Sequence, residues 1–214
     1  MVERIVYSCS TKKMIKRFPI VSADVFAKTN IGTIEQRQQL LDEAWGAFMA
    51  NDAEMSFSNR GSWRSYFKYK NLDWFMDELK LLVNEAGLHY QSMDPIYKEK
   101  TTHFIAPEIK YWTNINKPGS RNSLHDHKLY HYVAVYYLQG TGTGDIIFSN
   151  PNNVLEGCNP YAPFVSPIAF SPNDGDLYLW PAWLPHETEV NTSDRHRINI
   201  AINIRFTAPG NFDY

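Results

Sequence analysis

A chain of 214 residues that is 43% hydrophobic and 21% charged carries enough apolar material for one domain with a sizeable core, a composition of an ordinary globular protein and not of a disordered or membrane chain. Its 21 basic and 23 acidic side chains nearly cancel, so no global field draws in nucleic acid or anionic lipid. Cys9 and Cys158 form no metal or disulfide spacing, no apolar run nears the roughly 20 residues that span a bilayer, and the charged N-terminus does not read as a signal peptide; the expectation is a cytoplasmic protein.

The first half of the chain reads as helical. Thr33 and Gln36 form a capping box, and Leu41, Ala44, Trp45 and Phe48 follow at helical spacing, which predicts a helix over 34–50. A second helix is predicted after Asn71, through Leu72, Phe75, Leu79, Leu82, Val83 and Ala86, with Gly87 as its stop. Each helix presents one apolar stripe, which must be buried against a sheet built by the second half. The chain is therefore read as a single domain, 1–214, with a helical support region over 1–100 and a β-barrel core over 101–207.

That second half is a series of strands: 103–115, closed by the turn Lys117-Pro118-Gly119; 130–138, closed by a glycine-rich stretch; the shorter 145–148, 168–170 and 176–180; and 197–206. The last strand alternates strictly. Ile198, Ile200, Ile202, Ile204 and Phe206 share one face, and Arg197, Asn199, Ala201, Asn203 and Arg205 share the other, a row suited to the lining of a polar barrel mouth. Short strands at this spacing, with aromatics at 14%, predict a mainly β fold: a jelly roll or cupin-like barrel with the N-terminal helices packed on its outside.

Three of the seven histidines have a spacing that metal chemistry wants. In an extended segment His125 and His127 point the same way, roughly 6.6 Å apart along the chain, so two imidazoles converge on one ion. Asp126 should face the other way. His186 follows a Gly175-Asp176 turn and a strand, and Pro181 and Pro185 stiffen its approach. Two ligands from one segment and one from a distant strand make a mononuclear site with open coordination positions. Taken alone, HxH is weak, since most such pairs are solvated or hydrogen-bonded; the strand context and a downstream Arg raise its weight. His89, His103, His131 and His196 read as structural or surface groups, with His131 in reserve if a bulge shifts the register. Arg197, on the polar face of the last strand, is placed to grip a carboxylate with two parallel hydrogen bonds; Arg195 is a weaker candidate.

The runs WTNINKPGSRNSLHDH, VAVYYLQGTGTGDIIFSNPN and PNDGDLYLWPAWLPHETEVNTSDRHRINIAINI together resemble the 2OG-Fe(II) oxygenases of bacteria and phages, over about residues 108–206. The resemblance implies a double-stranded β-helix in which His125 and His186 ligate Fe(II) and Arg197 binds the distal carboxylate of 2-oxoglutarate. It also implies a tyrosine in the cosubstrate pocket, Tyr136 or Tyr137 but not both; Tyr136 is favoured. Asn114 and Asn203 are further candidates for polar contacts there. The departure from the family pattern is His127, where most of the wider superfamily carries Asp or Glu. Three neutral ligands make the ion more positive, unless Asp126 ligates through a local twist or an exogenous anion fills the position, which would invite halogenase-like chemistry.

The function that follows is that of an Fe(II)/2-oxoglutarate-dependent dioxygenase hydroxylating a small molecule, amino acid or peptide side chain with molecular oxygen. Two other readings stand beside it. One is a cupin-type dioxygenase with three histidines and no keto acid; the other is a non-catalytic jelly-roll ligand-binding protein using Trp112, Trp180 and Trp183 as a platform. Substrate contacts are expected from 51–69 and 157–172, and an exposed edge strand would support a homodimer.

Overall fold

The computed structural model describes residues 6–7, 16–20, 23–50, 58–93, 107–149 and 167–206. Three strands come first: β1 (Val6–Tyr7), β2 (Lys16–Ile20) and β3 (Ala23–Lys28). Helix α1 (Ile34–Met49) opens on the expected reciprocal cap: Gln36 N donates to Thr33 Oγ1 at 3.2 Å, and Thr33 N donates to Gln36 Oε1 at 2.8 Å. Short strands β4 (Asn59–Arg60) and β5 (Trp63–Ser65) lead to α2 (Asp73–Met93). This helix runs through Gly87, where the sequence predicts its end. A glycine inside a helix costs only about 1 kcal/mol, and burial of Leu79, Leu82, Val83 and Ala86 outweighs it.

The second half supplies β6 (Glu108–Asn116), β7 (Arg121–Asn122), β8 (Tyr132–Gln139), β9 (Ile146–Phe148), β10 (Ile168–Phe170), β11 (Leu177–Pro181), β12 (His186–Thr188) and β13 (Arg197–Arg205). These match the predicted strands to within two residues where both are described, and β7 and β12 are additions. Positions 103–106, 51–57 and 157–166, both cysteines and the side chain of His89 lie outside the described residues.

Two sheets form the body. One has seven strands in the order β2-β3-β11-β8-β13-β6-β5, the other four in the order β1-β10-β9-β12, and β4 pairs with β7 separately. The expected division at residue 100 is therefore not kept by the sheets. β3 pairs antiparallel with β11, β5 with β6, and β1 parallel with β10, so the first half contributes strands as well as helices. The amphipathic helices dominate the sequence pattern there, while these strands are short or end-paired and carry little periodicity.

β13 runs between β8 and β6, paired to β6 from Arg197↔Asn116 to Arg205↔Glu108. Its two faces enter different cores. Ile198, Ile200, Ile202 and Ile204 pack with Leu40, Phe75, Leu79 and Leu82 of the helices. The other face looks into the space between the sheets, where Val133, Val135, Tyr137, Phe148 and Trp180 form a second core. This is a double-stranded β-helix with its helices laid on the outside of the larger sheet, as expected. Among the described residues no helix is long and apolar enough to cross a membrane. The fully buried Phe75 lies 4.7 Å from the Tyr136 ring, joining α2 to the sheet. Replacing it with Ala should lower stability by about 3–5 kcal/mol, read from the urea midpoint.

Candidate metal centre

His125 and His186 face each other across an antiparallel bridge. His125 N donates to His186 O at 3.0 Å and His186 N to His125 O at 2.9 Å, so the two residues form a directly opposed pair with side chains on one face. Two residues on, His127 N donates to Ala182 O at 2.9 Å, which pins the rest of the HxH segment to the Pro181–Pro185 turn. The three rings converge as the sequence predicts. Their centroids are 4.4 Å apart for 125–186, 5.0 Å for 125–127 and 5.2 Å for 127–186. One ring nitrogen from each lies within 4.8 Å of the other two. Asp126 is not a member of this group; it pairs with Lys128 at 3.8 Å.

The donor chemistry suits a divalent metal. His125 Nδ1 is 2.7 Å from the Ser123 carbonyl and His186 Nδ1 is 3.0 Å from the Leu184 carbonyl. A carbonyl can only accept, so both Nδ1 atoms carry the hydrogen and both Nε2 atoms keep a lone pair. Burial is the main cause that pushes all three imidazoles toward the neutral form. It lowers His125, takes His127 down to about 4 with help from the neighbouring His125, and holds His186 well below the usual histidine range.

The histidines line a cavity of about 370 Å³ between the sheets, together with Asn114, Asn203, Tyr137, Thr188 and Trp180. Tyr136 does not reach it, which corrects the expectation. On β8 the residues alternate, so Val133, Val135 and Tyr137 face inward while Tyr136 turns to the helices. There its hydroxyl donates to the Ile31 carbonyl at 2.8 Å. Asn114 Nδ2 donates to Asn199 Oδ1 at 3.0 Å across the β6–β13 register, and the Asn203 amide oxygen is buried without a hydrogen-bond partner.

Arg197 is fully buried just beyond the cavity wall. Its Nη1 donates to Thr143 O at 3.0 Å, and its Nη2 to Thr188 Oγ1 at 2.8 Å and to Glu189 O at 3.1 Å. Every one of these acceptors is neutral and Nε has no hydrogen-bond partner among the described residues, while the Glu189 carboxylate acts on the guanidinium through its charge. Such a buried cation is costly until an anion arrives. Thr188, which sequence reasoning missed, lies two residues past His186 on the same strand face. Its oxygen already accepts from Arg197 and from Asn122 N at 2.9 Å, which leaves its O–H free to donate. The i, i+2 spacing from His186 was the available signal. Of the other candidates, Arg195 is exposed and pairs with Asp174 at 3.7 Å, His131 accepts from Phe206 N at 3.1 Å, and His196 packs on Trp45.

Two outcomes follow. Tyr136→Phe should lose about 1 kcal/mol of stability, read from urea unfolding, because its hydroxyl serves the fold and not the cavity. With folded pKa values below the free value of 6.5, and about 4 for His127, the unfolded chain binds more protons in that window. The metal-free protein should therefore hold its full stability above 6.5 and lose it as the pH falls toward 4, seen as a falling melting temperature.

No curated protein matches the chain. Residues 110–203 match the family model described as Putative 2OG-Fe(II) oxygenase. Among solved structures, a Pseudomonas putida prolyl-4-hydroxylase is similar at 14% identity and TM-score 0.61, covering 86% of this chain and 93% of its own. A Trichoplax adhaerens prolyl hydroxylase in complex with a hypoxia inducible factor peptide fragment is similar at 11% and 0.58, covering 85% and 83%. The epimerase SnoN, in complex with Fe3+, alpha ketoglutarate and nogalamycin RO, is similar at 13% and 0.58, covering 85% and 78%. At such identities these structures share the fold. The matched segment carries all three histidines and Arg197, so over residues 110–203 the chain is similar to the 2OG-Fe(II) oxygenases, a family described by its use of Fe(II) and 2-oxoglutarate.

Proposed function

We propose that this oxygenase hydroxylates a compact substrate at an iron held by His125, His127 and His186, with the distal carboxylate of 2-oxoglutarate in the field of Arg197. The observation that carries the reading is the meeting of three neutral imidazoles, within 4.8 Å, next to a buried guanidinium whose hydrogen bonds all go to neutral oxygens. When bound, iron and 2-oxoglutarate supply oxidative decarboxylation: dioxygen gives one oxygen atom to the keto acid, released as succinate and carbon dioxide, and the other to a substrate C–H bond.

The chain's own residues set up that chemistry. Thr188 and Tyr137 offer hydroxyl donors on the wall nearest Arg197, and burial keeps the Tyr137 phenol neutral by raising its pKa. The guanidinium supplies the charge, so an entering carboxylate removes the penalty of burying it alone. Trp180, Val133, Val135 and Ala201 line the remaining wall with apolar surface that excludes water. Three neutral ligands cancel none of the metal's charge, which strengthens its hold on the anionic end of the cosubstrate.

His125→Ala and His186→Ala should each abolish substrate-coupled succinate formation and iron binding by metal analysis; full activity in either would refute the ligand assignment. For Arg197→Met the expected change is a rise of about 10- to 100-fold in the dissociation constant for 2-oxoglutarate, with Thr188→Val giving a smaller rise. Iron-dependent oxygen uptake that ignores added 2-oxoglutarate would instead favour a cupin-type dioxygenase.

A further inference from the structure

We infer that Asn203 is a positioning residue for His127: its amide oxygen takes the N–H of that ring and so leaves the other ring nitrogen to hold the metal. The inference rests on the three-histidine reading and adds what orders the third ligand. His125 and His186 are each fixed by the backbone carbonyl two positions upstream, Ser123 O at 2.7 Å and Leu184 O at 3.0 Å. His127 does not share that device. The carbonyl two positions before it belongs to His125 and accepts from His186 N at 2.9 Å, as part of the bridge that brings the rings together.

Stacking does not replace the missing hydrogen bond. The His127 ring lies against Trp112, with centroids 6.0 Å apart and planes 19° apart, and its backbone N–H is held by Ala182 O at 2.9 Å. These contacts set the plane of the imidazole, yet a half-turn about its χ2 keeps the same plane and exchanges the edges that carry the nitrogens. A hydrogen-bond partner on one edge is what separates the two orientations and the two tautomers.

Asn203 stands where such a partner is needed. On β13 it lies opposite Val133 of β8, and both line the cavity together with His127. The other cavity-facing positions of β13 do not compete for the role: Asn199 Oδ1 accepts from Asn114 Nδ2 at 3.0 Å, and Ala201, opposite Trp112, has no polar side-chain atom. Asn203 is 8% exposed, and its Oδ1 is buried with no hydrogen-bond partner, although its side chain is close enough to the His127 ring to act on it. A buried carbonyl without a donor costs about 1–3 kcal/mol, and a fold that keeps one calls for a reason. Here the reason is a donor that metal binding supplies. An imidazole that gives one nitrogen to a metal carries its hydrogen on the other, and a carbonyl can only accept. An acceptor without a donor thus meets a ring whose N–H is without an acceptor.

The test uses the full chain with nitrogen-labelled histidine and Zn(II) as a diamagnetic probe, read by NMR and by zinc titration. In the wild-type protein each of the three zinc-bound imidazoles should show a single tautomer, and the His127 N–H should exchange slowly with water. Asn203→Leu should lose that N–H signal to exchange or split it between two tautomers, leave the His125 and His186 signals in place, and weaken zinc binding about 10- to 100-fold. Asn203→Asp keeps an acceptor oxygen at the same place and should recover both the signal and the affinity; Asn203→Ala serves if Asn203→Leu does not fold. An unchanged His127 signal and zinc affinity on removal of the amide, or no recovery in Asn203→Asp, would overturn the inference. So would a loss of 2-oxoglutarate affinity with zinc binding intact, which would make Asn203 a contact of the cosubstrate. Failure of the wild-type protein to bind zinc through the three histidines would instead remove the metal-centre reading, and this one with it.

Discussion

Two backbone hydrogen bonds between His125 and His186 are the constraint on which the site depends. They join a loop that follows β7 to a strand of the smaller sheet, sixty-one positions later in the chain, and they do so at the two residues whose rings must meet. A directly opposed antiparallel pair fixes the separation and direction of both side chains without help from a metal. The carbonyls of Ser123 and Leu184 then set the tautomers, each from two residues upstream of its histidine. Backbone geometry has therefore already oriented two lone pairs before any ion arrives, which lowers the ordering cost of binding one.

Around that pair the molecule accepts two electrostatic debts. Three imidazoles, one buried and two half-buried, lie close enough to oppose one another's protonation, and a guanidinium is enclosed among neutral oxygens. Both arrangements work against stability in the empty protein and in favour of ligands: a cation for the first, an anion for the second. The close packing that holds Arg197 in place is visible at Gly144, where an added Cβ would come within 3.4 Å of Nη1 and 3.2 Å of Glu189 Cβ. Tension of this kind belongs at a site that fills, and the rest of the fold compensates for it with two apolar cores, one on each face of the larger sheet.

β13 is where the cores and the site meet. Its isoleucines anchor the sheet to α1 and α2, and its other face delivers Asn199, Ala201 and Asn203 to the cavity and Arg197 to the wall behind it. A one-residue slip of this strand would exchange the two sets, so the helices, by burying the isoleucines, also hold the polar face in register. Support and chemistry are coupled through strand alternation.

Much of this was legible in the chain itself, because periodicity and short-range chemistry are local. The capping box at Thr33, the two amphipathic helices, the strict alternation of 197–205 and the HxH spacing each depend on neighbours within a few residues, and each stands in the fold where the sequence places it. Tertiary structure decided the rest. Tyr136 and Tyr137 are chemically identical neighbours, and only the docking of α2 against one face of β8 turned the first toward Phe75 and the second toward the cavity. Gly87 marks a helix end by propensity, yet the buried Leu79, Leu82, Val83 and Ala86 carry α2 past it. The strands of the first half and the packing of Arg64 over Trp112 come from partners about fifty or more positions away or from short segments without a period. Such contacts are set by packing the whole chain, and no window of sequence contains them.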